Sequence, residues 1–534
     1  MSSNAQQAAP RAPQSEPAHT IEFLRLKGLA QNGEASAMHS LGFMYFNGEG
    51  VARDYELALQ WYLKAGYAGL DHAQYNLGVM YQRGQGVQQD DQLAVHWYIL
   101  AAEQGYAAAQ FNLGWMYAKG QGAAQDLKAA RHWFTLAAMQ GDAGAQNNLG
   151  MMYETGKGAP QDYQKAVAWY VKAAGQGYAR AQFNLALRYD GGQGVEQDAQ
   201  QALAWFRKAA ERGYAPAQFN LGLRYDKGQD LGQDSVQAIS WYRRAAEQGH
   251  ASAQFNLGLL YDSAPAPLRD EALALGWFRK AAEQGHAAAQ DHLGLRYENG
   301  HGVDHDYAKA LAWYGKAAAQ GFAGAQYHLA LLYDAGHGVP ADSREAAEWF
   351  TKAAVQGHVR AQFDLGLRCE AGAGVPQDDE TAMIWYRRAA DKDYVPAQFL
   401  LGALFDRADF KLADPEQALG WYLKAAAQGH ARAQFEMGLR YDSGKGVTRD
   451  YQAAYAWYIR AARQGHARAQ FNLGLMHANG QGARRDLLAA YAWLVQADRG
   501  GAAGARKYMQ DTEARMNAEQ RGHAVRLHAE LEIQ

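Results

Sequence analysis

Thirteen tryptophans lie on one ruler. Trp61 is followed at every thirty-sixth residue by Trp97, Trp133, Trp169, Trp205, Trp241, Trp277, Trp313, Trp349, Trp385, Trp421, Trp457 and Trp493. No insertion or deletion interrupts the series, and of the 14 tryptophans only Trp115 stands off it. Self-similarity at a period of about 20–50 residues is the mark of a solenoid, in which no unit buries its apolar face alone and stacking supplies the core. The 534 residues are therefore expected to form one elongated array instead of several globular domains.

The stretch from Ala433 to Arg468, AQFEMGLRYDSGKGVTRDYQAAYAWYIRAARQGHAR, shows how each unit splits into two helices. The first runs from about Ala431 to Asp442 and is broken by Gly444 and Gly446, which permit positive φ. An aspartate then stands seven residues before every register tryptophan, from Asp54 through Asp450 to Asp486. Its carboxylate can accept from the free N–H groups that open the second helix, at about 1 kcal/mol each. Pro415 after Asp414 agrees with a first helical position there. A glycine eight residues after Trp closes the second helix, except that Asp393 takes its place once.

Residues 1–19 hold little to bury and read as a disordered tail. Residues 20–34 have helical spacing and end on Asn32-Gly33, a capping half-repeat. Thirteen repeats fill 35–502, and 503–534 read as capping helices. Of these, Ala505–Met516 is a worn first helix, and Asn517 with Gln520 makes a capping box for the last. The net charge of −3 supplies no basic field, so nucleic acid is disfavoured. Cys369 is the only cysteine. The N-terminus lacks an apolar export core and no stretch reaches membrane-span length, so a cytoplasmic protein is expected.

The motif AQFNLGLxYxxGxGVxxDxxxAxxWYxxAAxxGxxxA resembles the Sel1-like repeat, a relative of the tetratricopeptide repeat, over roughly 35–506. That resemblance implies an all-α, right-handed α-solenoid of about 13 helix-turn-helix repeats of 36 residues, serving as a scaffold or adaptor. A cysteine-rich branch of the family is associated with penicillin binding, and its cysteines are missing here. Turns that lose their glycines (Asp230 in repeat 6, Ala264 and Ala266 in repeat 7, Ala408 and Phe410 in repeat 11) are expected to follow a different path.

Projected at 100° per residue, the first helix of repeat 6 has apolar arcs through Ala217, Leu221 and Tyr225 and through Phe219 and Leu223. Gly222 marks a close helix neighbour. The remaining stripe, Pro216, Asn220, Arg224 and Lys227, is polar and expected to face solvent along an inner groove. Down the array this stripe gives an Asn row (Asn76 to Asn256, with Asn184 and Asn220) and a second row that passes from Met44, Met80, Met116 and Met152 to arginines. From repeat 5 the second row reads Arg188, Arg224, Leu260, Arg296, Leu332, Arg368, Leu404, Arg440 and Met476. Two readings stay open for the asparagines, gripping an extended peptide backbone or bonding helix to helix. The partner-binding candidates are Asn184, Arg188, Asn220, Arg224, Arg296, Arg368, Arg432 and Arg440, and the guanidinium groups suit carboxylates or an acidic segment.

An acidic row, Glu154, Asp190, Asp226, Asp262, Glu298, Asp334, Glu370, Asp406 and Asp442, sits where it opposes the helix dipole, and bonding to the following turn's N–H groups is expected to compensate it. The same repeats carry Lys or Arg three residues after Trp, a correlation ascribed to shared descent. The Trp and Tyr positions, Trp115 included, are read as core, and Cys369 as buried and unreactive. Histidines such as His250, His286, His358, His430 and His466 recur once per repeat as packing or capping residues. The set His301, His305 and His337 lacks zinc-site spacing. The glycine turns lack the Lys-Ser or Lys-Thr of a phosphate loop.

No catalytic constellation, cofactor or metal is therefore expected. The reading is a non-enzymatic scaffold that binds a protein or extended peptide, possibly acidic, in the groove. The alternatives are an exported host-interaction or envelope factor and a cell-wall or β-lactam-directed enzyme.

Overall fold

A computed structural model of the chain describes residues 17–524. These form 28 helices, from Pro17–Gln31 to Ala505–Ala514, and the start of a further helix at residue 518, with no strand among the described residues. They divide into two compact units, one ending at Asp270 and one beginning at Glu271. Within each unit every helix packs on the helices before and after it, as an α-solenoid does. Repeats are numbered 1–13 from Ala35, each with a helix A and a helix B. In repeat 12 these are Ala431–Ser443 and Tyr451–Arg463.

The punctuation seen in the sequence sets these boundaries. Asp450 Oδ1 accepts from the N–H groups of Gln452 at 2.8 Å and Ala453 at 3.1 Å. The equivalent aspartate caps helix B in repeats 1–6 and 8–13. The different path expected of repeat 6 is not taken. Asp230 adopts φ +58°, the left-handed conformation that glycine supplies elsewhere, and Asp393 does the same at a B-helix end. Aspartate tolerates this conformation because its short side chain bonds locally. Repeats 7 and 11 do diverge, since Ala264 (φ −62°, ψ 148°) and Arg407 (φ −77°, ψ 120°) leave helix A in extended backbone.

The core is built from the residue after each tryptophan. Tyr62, Tyr98, Tyr170, Tyr242, Tyr314, Tyr386 and Tyr458 are fully buried. Each ring lies on the glycine at the eighth position of helix A, and a Cβ added to Gly222 would come within 2.5 Å of the Tyr242 ring. The tryptophans are less buried than expected. Of those in register only Trp97 is fully so, and the other twelve are half-buried. In ten repeats a Lys or Arg three residues on covers the exposed indole face, at 3.5 Å for Lys352 over Trp349 and 4.6 Å for Arg460 over Trp457. The recurring cation thus has a local cation–π role.

A buried glutamine at the fourth position of helix A joins successive repeats. Gln110 Nε2 donates to the Ala102 carbonyl of the preceding B helix at 3.0 Å, and its Oε1 accepts from Gln140 Nε2 at 2.8 Å. The helix-end carbonyl, which also accepts from Gly105 N–H at 3.0 Å, is thereby tied to the next repeat.

The recurrent histidines cap A helices. Nδ1 of His250, His358, His430 and His466 accepts the N–H of the residue three positions on at 3.2–3.3 Å. Burial holds all four imidazoles below their ordinary pKa, so the fold selects the neutral, accepting form. As pH falls through about 6.5, the unfolded chain takes up protons before the folded one, and stability present above that pH is lost below it. The melting temperature is therefore expected to fall between about pH 7.5 and pH 5.5. Asp142 already serves as this cap in repeat 4, accepting from Ala145 N–H at 2.6 Å. Replacing the four histidines by aspartate should flatten the fall, at about 1 kcal/mol per cap. Equal pH profiles for the two proteins would rule the caps out as its cause.

At the N-terminal end, Pro17–Gln31 forms the half-repeat helix, and Phe23, Leu26 and Leu29 pack against a cluster that includes Ala37 and Leu41. It begins within the stretch expected to be a tail, and residues 1–16 of that stretch lie outside the described residues. At the other end Asn517 and Gln520 make the expected reciprocal capping bonds, 2.8 and 3.1 Å. The rest of the expected final helix lies outside the described residues. Cys369 is buried and burial pushes its thiol up, which lowers the thiolate fraction.

Candidate functional site

Helix A exposes a different stripe from the one its polarity suggests. Its exposed large apolar side chains stand at the ninth position, where Phe43, Trp115, Met151 and Leu367 are 45%, 37%, 41% and 38% exposed. Val79 and Leu223, in the same row, are half-buried. Trp115 is thus a surface residue and not core. The Met row turns inward after its first member: Met44 is half-buried beside a cavity, Met80 and Met116 are fully buried and Met152 nearly so.

The arginine row is buried as well, a correction to the solvent-facing stripe. Arg188, Arg224, Arg296, Arg368 and Arg440 are 9%, 3%, 5%, 9% and 2% exposed, and of the named arginines only Arg432 is exposed. The partner in four cases is the acid of the preceding repeat, thirty-four residues back. Arg188 meets Glu154 at 3.2 Å, Arg224 meets Asp190 at 2.6 Å, Arg368 meets Asp334 at 2.5 Å and Arg440 meets Asp406 at 2.8 Å. Arg224 also pairs with Asp230 in its own turn, and Arg296 Nη1 donates to the His301 carbonyl at 3.3 Å. Cross-repeat ion pairs, not the backbone of the next turn, therefore compensate these four acids.

Other acids are held by the buried ring of their own repeat, and this explains the Arg/Leu alternation. Tyr314 hydroxyl donates to Glu298 at 2.5 Å, Tyr386 to Glu370 at 2.7 Å, Tyr242 to Asp226 at 3.4 Å and Tyr458 to Asp442 at 3.3 Å. Burial and the bond to Glu298 both push the Tyr314 phenol up, so it stays a donor. The repeats that follow carry Leu332, Leu404, Leu260 and Met476. Where the ring is Phe206 or Phe350 and has no hydroxyl, the next repeat brings Arg224 or Arg368. Each guanidinium pairs with the acid and lies over the ring, at 5.0 and 4.8 Å, and Arg296 lies over Phe278 at 5.1 Å. One acid takes both groups, since Arg188 joins Tyr170 at Glu154, and Arg440 lies over the Tyr422 ring while pairing with Asp406.

The Asn row bonds within the stack. Asn184 Nδ2 donates to Asn147 Oδ1 at 3.0 Å, Asn256 Nδ2 donates to Tyr242 hydroxyl at 3.2 Å, and Asn220 Oδ1 accepts from Arg224 Nε at 3.1 Å. His328 in the same row meets Asp291 of the preceding repeat at 2.7 Å. Asn184 and Asn256 thus bond helix to helix, and Asn220 bonds within its own helix.

Two cavities open along the exposed apolar row in repeats 1–4. A cavity of about 360 Å³ is lined by Phe43, Phe46, Tyr75, Val79 and Asn112. A second, of about 470 Å³, lies between repeats 3 and 4 against Trp115, Leu127, Phe134, Met151 and Met152. Among the described residues no group of three or more His, Cys, Asp or Glu is placed to hold a metal ion, and no helix is long and apolar enough to cross a membrane.

Comparison with known proteins agrees with this architecture. The Sel1 repeat model matches thirteen consecutive segments from residue 35 to residue 497. The chain is similar to the crystal structure of a protective antigen of uropathogenic Escherichia coli strains that displays an SLR fold, with 36% identity, TM-score 0.66, and coverage of 81% of this chain and 93% of that one. It is also similar to a Sel1 repeat protein from Oxalobacter formigenes, with 33% identity, TM-score 0.47, and coverage of 62% of this chain and 97% of that one. No curated protein matches the chain. With thirteen consecutive repeats matched, each a helix pair, the chain belongs to the Sel1 repeat family.

Proposed function

We propose that the chain is a non-enzymatic scaffold that holds a segment of another protein along the exposed face of its A helices, with repeats 1–4 as the principal grip. Sel1 repeat solenoids act in general as protein-interaction scaffolds. The observation that carries the reading here is the row of Phe43, Trp115 and Met151, each more than a third exposed beside cavities. Contiguous apolar surface with aromatic members is the composition of a binding patch. Within this reading Asn184, Asn220, Arg188, Arg224, Arg296, Arg368 and Arg440 hold the A helices in register beneath the face, and the exposed Arg432 is available to a partner.

Site-specific photo-crosslinking in the native cell tests the reading. A benzophenone side chain at Val79 or Met151 is expected to give discrete protein adducts, and one at Val171, 46% exposed on helix B of repeat 4, is not. Adducts equal at all three positions, or confined to Val171, would place the interaction elsewhere. Likeness to the protective antigen favours a second reading, an exported factor that meets a host protein. Fractionation separates it from a cytoplasmic scaffold.

A further inference from the structure

The tryptophan that breaks the register marks a site with its own charge character. Trp115 takes the ninth position of helix A in repeat 3, where repeats 5–8 carry leucine. Its indole and the Met151 thioether, each more than a third exposed, line the cavity of about 470 Å³ together with the half-buried Leu127 and the buried Phe134 and Met152. The charged residues lining that cavity are Lys119, Lys157 and Arg180. All three are exposed, none has an ion pair or side-chain hydrogen bond among the described residues, and no carboxylate lines the space. The cavity beside Phe43 and Val79 has a single charged residue, Arg83, in its lining, and two others on the A helices are acidic. The one beside Met44 is lined by Glu22 and Glu49, and the one beside Arg440 by Asp406, Glu436 and Asp442.

We infer that this cavity takes one bulky apolar side chain of a polypeptide whose neighbouring residues are acidic. The inference rests on the scaffold reading above and adds the chemistry of the partner. The apolar walls demand an aromatic or branched aliphatic anchor, and the unbranched Met151 and Met152 adapt to its shape. The three cations select among anchored segments. Carboxylates beside the anchor meet unpaired guanidinium and ammonium groups, whereas a basic segment meets only like charge. Rim pairs of this kind are individually weak, so the anchor supplies affinity and the rim supplies discrimination.

Three fluorescein-labelled, capped peptides test this by anisotropy with the full chain: Glu-Glu-Leu-Phe-Glu-Glu, Gln-Gln-Leu-Phe-Gln-Gln and Lys-Lys-Leu-Phe-Lys-Lys. The acidic peptide is expected to bind at least about tenfold more tightly than the neutral one, and the basic peptide not at all. Trp115→Ala should weaken the acidic peptide at least about tenfold with the circular-dichroism melt unchanged. The Lys119→Glu/Lys157→Glu/Arg180→Glu protein should reverse the preference and take the basic peptide. Equal binding of the neutral and acidic peptides, still lost in Trp115→Ala, would overturn the acidic partner and leave the scaffold reading standing. Binding indifferent to Trp115→Ala, or no saturable binding up to about 1 mM, would overturn the site. Adducts at Val79 would then show whether the rest of the face still engages protein.

Discussion

Tyr314→Ala is expected to destabilise the unit beginning at Glu271 by about 3–5 kcal/mol, the range for deleting a buried aromatic ring. The ring is fully buried, and the backbone of Gly294 approaches it so closely that a Cβ there would lie 2.6 Å from its edge. Deletion therefore leaves a void that no side chain on Gly294 can fill. It also removes the hydroxyl that donates to Glu298 at 2.5 Å. Trp313→Ala, one residue away, should cost less, because the indole is only half-buried and its outer face already meets Lys316 at 4.0 Å. Chemical denaturation of the two variants checks the order. An equal or greater loss for Trp313→Ala would contradict the assignment of the core to the residue after the tryptophan.

Arg368→Leu is expected to cost about 2–3 kcal/mol. Removing one partner of a buried pair is strongly destabilising, and the figure is reduced because the Asp334 side chain is 41% exposed. The alternation predicts the remedy. Phe350→Tyr places a hydroxyl where Tyr314 and Tyr386 carry theirs, within reach of Asp334, and Leu at position 368 then reproduces the pairing of Tyr314 with Leu332. The double variant Phe350→Tyr/Arg368→Leu should regain most of the loss, with a coupling of about 1–2 kcal/mol in a double-mutant cycle. Additive effects of the two changes would show that hydroxyl and guanidinium are not alternatives at this acid.

The repeat, its two helices, the aspartate caps and the capping box at Asn517 were all legible because each is local, fixed by spacing and by the chemistry of a single turn. The exposed face was not. Polarity pointed outward through Asn220 and Arg224, yet the charge of Arg224 is matched by Asp190 from another repeat, and no property within one helix reveals that. With those residues turned inward, the centre of the exposed arc moves to Leu223, between Pro216 and Lys227, so Trp115 and Met151 in the same row become surface. A signal for the burial did exist. Arg224 and Arg368 follow phenylalanines by eighteen residues, and Leu260, Leu332 and Leu404 follow tyrosines at the same distance. Rows read one at a time conceal that pairing. Asp230 misled for the opposite reason: a missing glycine suggested a new loop path, whereas aspartate can hold the same positive φ.

The hydroxyl–guanidinium exchange also constrains how such a chain changes length. Excising repeat 6 alone would seat Leu260 of repeat 7 over Phe206 of repeat 5 and leave Asp190 with neither donor. Excising repeats 5 and 6 together would seat Leu260 over Tyr170, whose hydroxyl already holds Glu154 at 2.5 Å. In this part of the array the repeats thus have parity. Removing a pair in this part of the array keeps every acid matched, whereas removing one repeat strands an acid wherever it sets a leucine after a phenylalanine, so growth by pairs is safe at every such junction even though the folding unit is the single helical hairpin.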